Sequence, residues 1–161
     1  MSATRPIAKR PPAVSVALQF AARTPGAPAP SKLRRWIRAA ASAASEVTLR
    51  IVGTAEGRRL NRAFRGRDYA TDVLTFVYGR RPYRGDIVIC HPVLARAARE
   101  RGVALEAHYA HLVVHGMLHL RGHDHERARD AERMEALERR ILTRLGFGDP
   151  YALESRARKR R

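Results

Sequence analysis

Leu105-Glu-Ala-His-Tyr-Ala-His-Leu-Val-Val-His115-Gly-Met-Leu-His119-Leu-Arg-Gly122-His-Asp-His125 reads as a helix that ends in a turn. Leu105 to Arg121 keeps helical character, and Gly122 stops it. His108, His111, His115 and His119 recur at spacings of three or four, which places them roughly on one face. His115 and His119, one turn apart, can direct imidazole nitrogens at a single ion. The loop beyond Gly122 offers a third nitrogen, from His123 or His125. Three nitrogens leave one tetrahedral position open, as a catalytic zinc requires; structural sites close all four, usually with cysteine. The chain has one cysteine, Cys90, so a cysteine-built site is excluded. His108 and His111 then read as packing residues or as partners behind the ligands.

Working towards the N-terminus, the pattern changes to strands. Val14-Ser-Val-Ala-Leu-Gln-Phe20 alternates, as do Val47, Leu49 and Ile51 about Thr48 and Arg50. Thr71 to Val77 and Asp86 to Cys90 are β-branched runs, the third and fourth strands. Ser31 is placed to cap a helix whose apolar side is Leu33, Trp36, Ile37 and Ala40, and Thr54 a shorter one carrying Leu60 and Phe64. Pro92 and Gly102 bracket another helix. Glu126 to about Leu145 is the last, with Met134, Leu137, Ile141, Leu142 and Leu145 on one side and Gly146 after it. Strands precede a gathering of helices, which favours α+β. A length of 161 residues suits one domain, expected over 13–151, between a flexible basic start at 1–12 and a basic tail at 152–161.

The chain carries 32 basic against 15 acidic residues, a net charge of +17. Such an excess points to a polyanion, either nucleic acid or an anionic membrane surface. It is uneven: residues 1–104 hold 20 basic and 6 acidic residues, and residues 105–155 hold 7 and 9. Arg156 to Arg161 adds a basic tail. Arg58, Arg59, Arg62, Arg65 and Arg67 form one candidate polyanion-binding cluster, and Arg80, Arg81 and Arg84 another in a loop-like stretch. A single cysteine excludes a disulfide-stapled secreted protein, and no 18-residue apolar run exists to span a membrane. The expectation is a soluble, cytoplasmic protein.

The run His115-Gly-Met-Leu-His-Leu-Arg-Gly-His-Asp-His125 resembles the signature of the YbeY family, bacterial rRNA maturation factors and zinc-dependent endoribonucleases. Leu60-Asn-Arg-Ala-Phe-Arg65 with Thr71-Asp-Val-Leu-Thr-Phe76, Gly85-Asp-Ile-Val-Ile-Cys90, Glu106 to His115 and Gly146-Phe-Gly-Asp-Pro-Tyr151 resemble further family blocks. The resemblance implies an α+β fold, a small mixed four-stranded sheet with surrounding helices, zinc-hydrolase-like in architecture. It implies that His115, His119 and His125 bind one Zn2+ and that Arg65 is functionally important. It further implies action on single-stranded RNA in small-subunit rRNA 3′-end maturation, with ribosomal RNA and the small ribosomal subunit as partners. The arginine-rich stretch between Phe76 and Gly85, the basic tail and His123 depart from the family pattern.

Gly116 occupies the position that is the glutamate general base in His-Glu-x-x-His proteases. Its identity counts against peptide hydrolysis and leaves the base unassigned. For a phosphodiester, Arg65 can stabilise charge on the phosphate while His115 serves the metal. The less favoured reading makes Arg65 a surface ion-pair partner of Asp68 or Asp72. Asp124 is placed either to orient a ligand histidine or to cap the last helix. Two other functions stay open: a non-cleaving rRNA-binding assembly factor with a structural zinc, and a zinc protease.

Overall fold

The computed structural model describes residues 10–152; most of the expected flexible start and the tail Arg156–Arg161 lie outside the described residues. The chain forms β1 (Val14–Phe20), α1 (Pro30–Ala40), β2 (Ser45–Val52), α2 (Thr54–Arg65), β3 (Val73–Arg80), β4 (Tyr83–Cys90), α3 (His91–Arg101), α4 (Leu105–Leu120) and α5 (Ala128–Arg144). The sheet runs β1-β2-β4-β3, with β1 and β4 parallel to β2 and β3 antiparallel on the outer edge of β4. This is the mixed four-stranded α+β fold expected.

Alternation divides the sheet into two faces. Val47, Leu49 and Ile51 of β2 and Ile87 and Ile89 of β4 pack against Leu33, Trp36 and Ile37 of α1 and against α4. Val52, Leu74, Val88 and Cys90 form a smaller cluster on the other face, with Leu60 and Phe76 beside it. α4 is the central element. Between His108 and Leu120 every residue is buried except His115 and His119, which are half-buried. A helix apolar nearly all round belongs in a core, and here two glycines set how close it comes. A Cβ on Gly116 would lie 2.9 Å from Ile87 Cγ2, and one on Gly85 would overlap the Phe76 carbonyl oxygen and the Leu120 side chain.

Several boundaries differ from the sequence-based expectation. α1 starts at Pro30 and α2 at Thr54, so neither Ser31 nor Thr54 is a cap. Proline at the first helical position needs no N–H partner and already has helical φ; before α2, the Gly53 carbonyl accepts the Gly57 N–H at 3.0 Å. β3 continues to Arg80 and β4 begins at Tyr83, so Arg80 and Arg84 are strand residues of a hairpin, opposite Tyr83 and Gly79 respectively, and only Arg81-Pro82 connects the strands. Cross-strand pairing, not side-chain alternation, carries the ladder there. α2 turns Gly57 and Asn61 inward, while Phe64 is exposed and meets Phe76 edge-to-face at 5.1 Å.

Gly85→Ala is expected to destabilise the protein by about 1–3 kcal/mol through overpacking. Urea unfolding checks this, and a parental midpoint would mean that α4 and β3 have room to spare.

Candidate metal centre

The last turn of α4 presents His115 and His119 side by side, with their Nε2 atoms 3.1 Å apart. The loop after Gly122, which has φ of 88°, returns His125 to them. Ligand atoms of all three lie within 4.8 Å of one another. The edge of a tetrahedron built on zinc–nitrogen bonds of about 2.0–2.1 Å is about 3.3 Å, so the spacing suits ligands sharing one ion. Among the described residues this group has three members, which leaves a position open.

Each helical histidine has its other nitrogen engaged. His119 Nδ1 donates to the His123 carbonyl at 3.0 Å, and His115 Nδ1 donates to Glu138 Oε1 at 2.5 Å. Those bonds fix the tautomer and leave the Nε2 lone pairs facing each other, as second partners of metal-bound imidazoles do. Burial, then the neighbouring His115 and His125, push the His119 imidazole down to about 4, so it is neutral at pH 7. Glu138 is fully buried on α5. Burial alone would raise its carboxyl, but hydrogen bonds from His111, His115 and Tyr151 outweigh that and hold it at about 2.

The three imidazoles form one wall of an open cleft of about 520 Å³, with Val73, Thr75 and Val77 of β3 on another. Arg65, the last residue of α2, also lines it. The ion-pair reading of Arg65 does not hold. Asp68 is taken by Arg58 through two bonds of 2.8 and 2.9 Å, and the Asp72 carboxylate accepts the Val73 N–H at 2.8 Å. Among the described residues Arg65 makes no hydrogen bond or ion pair.

The other candidate arginines do not converge on this cleft. Arg67 donates to the Tyr69 hydroxyl, and Arg84 pairs with Glu46 at 3.0 Å. Arg59 lines a groove with Leu60, Phe64 and Tyr78, and the Arg80 guanidinium lies near Gly122. Arg62 and Arg81 are exposed. His108 is buried with Nε2 unpartnered among the described residues, and His111 is buried against Glu138 at 3.3 Å. His123 serves through its backbone.

Asp124 takes neither expected role. Its Oδ1 accepts the N–H groups of His125 at 2.6 Å and Glu126 at 3.1 Å, a turn that delays α5 to Ala128 and shapes the ligand loop. Glu138 was missed, although a signal was present. It interrupts the buried stripe Met134, Ile141 and Leu142, where a lone carboxylate needs a buried partner.

Residues 29–146 match the family model described as Endoribonuclease YbeY. An endoribonuclease YbeY of Aromatoleum aromaticum is 58% identical over 126 residues, covering 78% of this chain and 82% of the relative. One of Methylibium petroleiphilum is 53% identical over 148 residues, covering 89% and 99%. A solution structure from Thermotoga maritima aligns over 80% of this chain and 91% of that one, at 27% identity and a TM-score of 0.49.

His119→Ala is expected to abolish stoichiometric binding of a divalent metal, whereas His123→Ala, which keeps the carbonyl, retains one ion per chain. Elemental analysis of both proteins tests this; equal metal contents would undo the assignment.

Proposed function

The chain belongs to the endoribonuclease YbeY family, and from that premise we propose a zinc-dependent endoribonuclease that cuts single-stranded RNA. In the cell it acts in the cytoplasm on ribosomal RNA, in maturation of the small-subunit rRNA 3′ end. The observation that carries this reading is the sharing of one open cleft by three imidazoles and Arg65, which forms no ion pair among the described residues although Asp72, Asp124 and Glu126 also line the cleft.

The donor set fits zinc, since His115 and His119 have their Nδ1 atoms engaged and the described residues offer three imidazoles in this group. A zinc ion held by His115, His119 and His125 would supply Lewis acidity and a water acidified to about 7. The protein's own part is orientation and charge. Glu138 and the His123 carbonyl hold the two helical imidazoles, the Asp124 turn brings His125 to them, and Arg65 supplies a planar fork for non-bridging phosphate oxygens.

The alternatives fare less well. A glutamate base at Gly116 would run into Ile87 of the sheet rather than the cleft, which opposes the protease reading. A structural zinc normally has four protein ligands, and the described residues offer three here. The net charge of +17 suits an RNA substrate. Among the described residues no helix is long and apolar enough to cross a membrane.

Arg65→Ala and Arg65→Lys are expected to keep metal content and thermal stability while cutting RNA about 10²-fold more slowly, the scale of losing one preorganised charge donor. Cleavage of a defined single-stranded RNA, with His115→Ala as the inactive control, provides the measurement. Parental rates in both Arg65 variants would remove arginine from the chemistry. RNA affinity should also fall with salt, with a log–log slope of about −0.7 per neutralised phosphate. A slope near zero would leave the charge without a nucleic-acid role.

A further inference from the structure

The block Gly146-Phe-Gly-Asp-Pro-Tyr151 has no part in the cleft, yet it ends against the carboxylate behind it. We propose that Tyr151 is a positioning residue of the metal centre, acting through Glu138 on His115. The proposal rests on the three-histidine metal reading.

Tyr151 donates its hydroxyl to Glu138 Oε2, while the other carboxylate oxygen accepts His115 Nδ1–H. His111 Nε2 lies 3.3 Å from both Glu138 Oε2 and the Tyr151 hydroxyl. A buried carboxylate accepts several hydrogen bonds, and these donors come from α4 and from the segment after α5. That segment is strapped down. The Arg139 guanidinium lies 5.2 Å from the Tyr151 ring centroid, and its Nε is 3.2 Å from both Asp149 carboxylate oxygens. The Asp149 carboxylate in turn accepts the Tyr151 N–H at 2.8 Å. The phenol thus has a defined place.

The consequence follows from how carboxylate–histidine–metal chains work. The carboxylate sets the ring orientation and basicity of the ligand, and disturbing such a partner typically weakens metal binding about 10–100-fold. Without the phenol, Glu138 Oε2 loses a donor and the carboxylate loses one of the bonds that fix its plane. His115 then loses orientation, although no group in the cleft has changed.

The test measures zinc dissociation constants of the full chain by competition with a chromophoric chelator. Tyr151→Phe is expected to raise the constant about tenfold, and Arg139→Gln, which only loosens the strap, about threefold. Tyr78→Phe, whose hydroxyl bonds Asp86 away from the cleft, should match the parent. In a Glu138→Gln background, Tyr151→Phe should add nothing, because the two act in series.

An unchanged constant in Tyr151→Phe, or full additivity with Glu138→Gln, would overturn the proposal. If Tyr151→Phe does not fold, an unchanged constant in Arg139→Gln does the same. Failure of the parent to bind zinc, or retention of zinc by His119→Ala, would instead overturn the three-histidine reading beneath it.

Discussion

The structure depends on the fit of α4 against the sheet. α4 is buried along most of its length, yet two of its side chains must reach solvent to be useful. Gly116 lets the helix approach Ile87, and Gly85 lets β4 pass beneath Leu120 and beside the Phe76 carbonyl. Interiors are packed like crystals, so a contact of this closeness holds helix rotation to a narrow range. That rotation buries Val113, Val114, Met117 and Leu118 and leaves His115 and His119 facing the open edge strand β3. The placing of the candidate metal ligands is therefore a product of core packing.

The second constraint is electrostatic. Glu138 is a carboxylate with no exposure, a costly object unless its oxygens are satisfied. It is satisfied by His115, His111 and Tyr151, three donors from two parts of the chain. Its folded pKa lies below the ordinary value, so this network favours the native state at neutral pH. The benefit is lost as pH falls through the folded value of about 2. α5 thereby does more than cover α4, for it holds the ring of His115, one of the three candidate ligands.

Much of this was legible in the chain. Helical spacing grouped the histidines, Gly122 marked the turn, and β-branched runs placed the strands within a few residues. What was hidden depended on distant contacts. Glu138 meets His115 across 23 positions, and nothing local to α5 names its partner. The arginines read as two clusters, but Asp68 and Glu46 each claim one member, and strand pairing carries Arg80 and Arg84 out of the loop. Only folding shows that, of the arginines proposed to bind RNA, Arg65 alone lines the cleft. Asp124 was misread because a turn using its carboxylate competes locally with a helix cap, and the turn prevails.

The central claim is that three imidazoles from α4 and its following loop hold one catalytic ion. Anomalous diffraction at the zinc edge, from crystals of protein purified without added metal, tests it most directly. The account predicts a single ion bonded to His115, His119 and His125, with Glu138 touching only the far side of His115. An ion held instead by His111, His115 and Glu138, the other grouping of suitable atoms among the described residues, would contradict it.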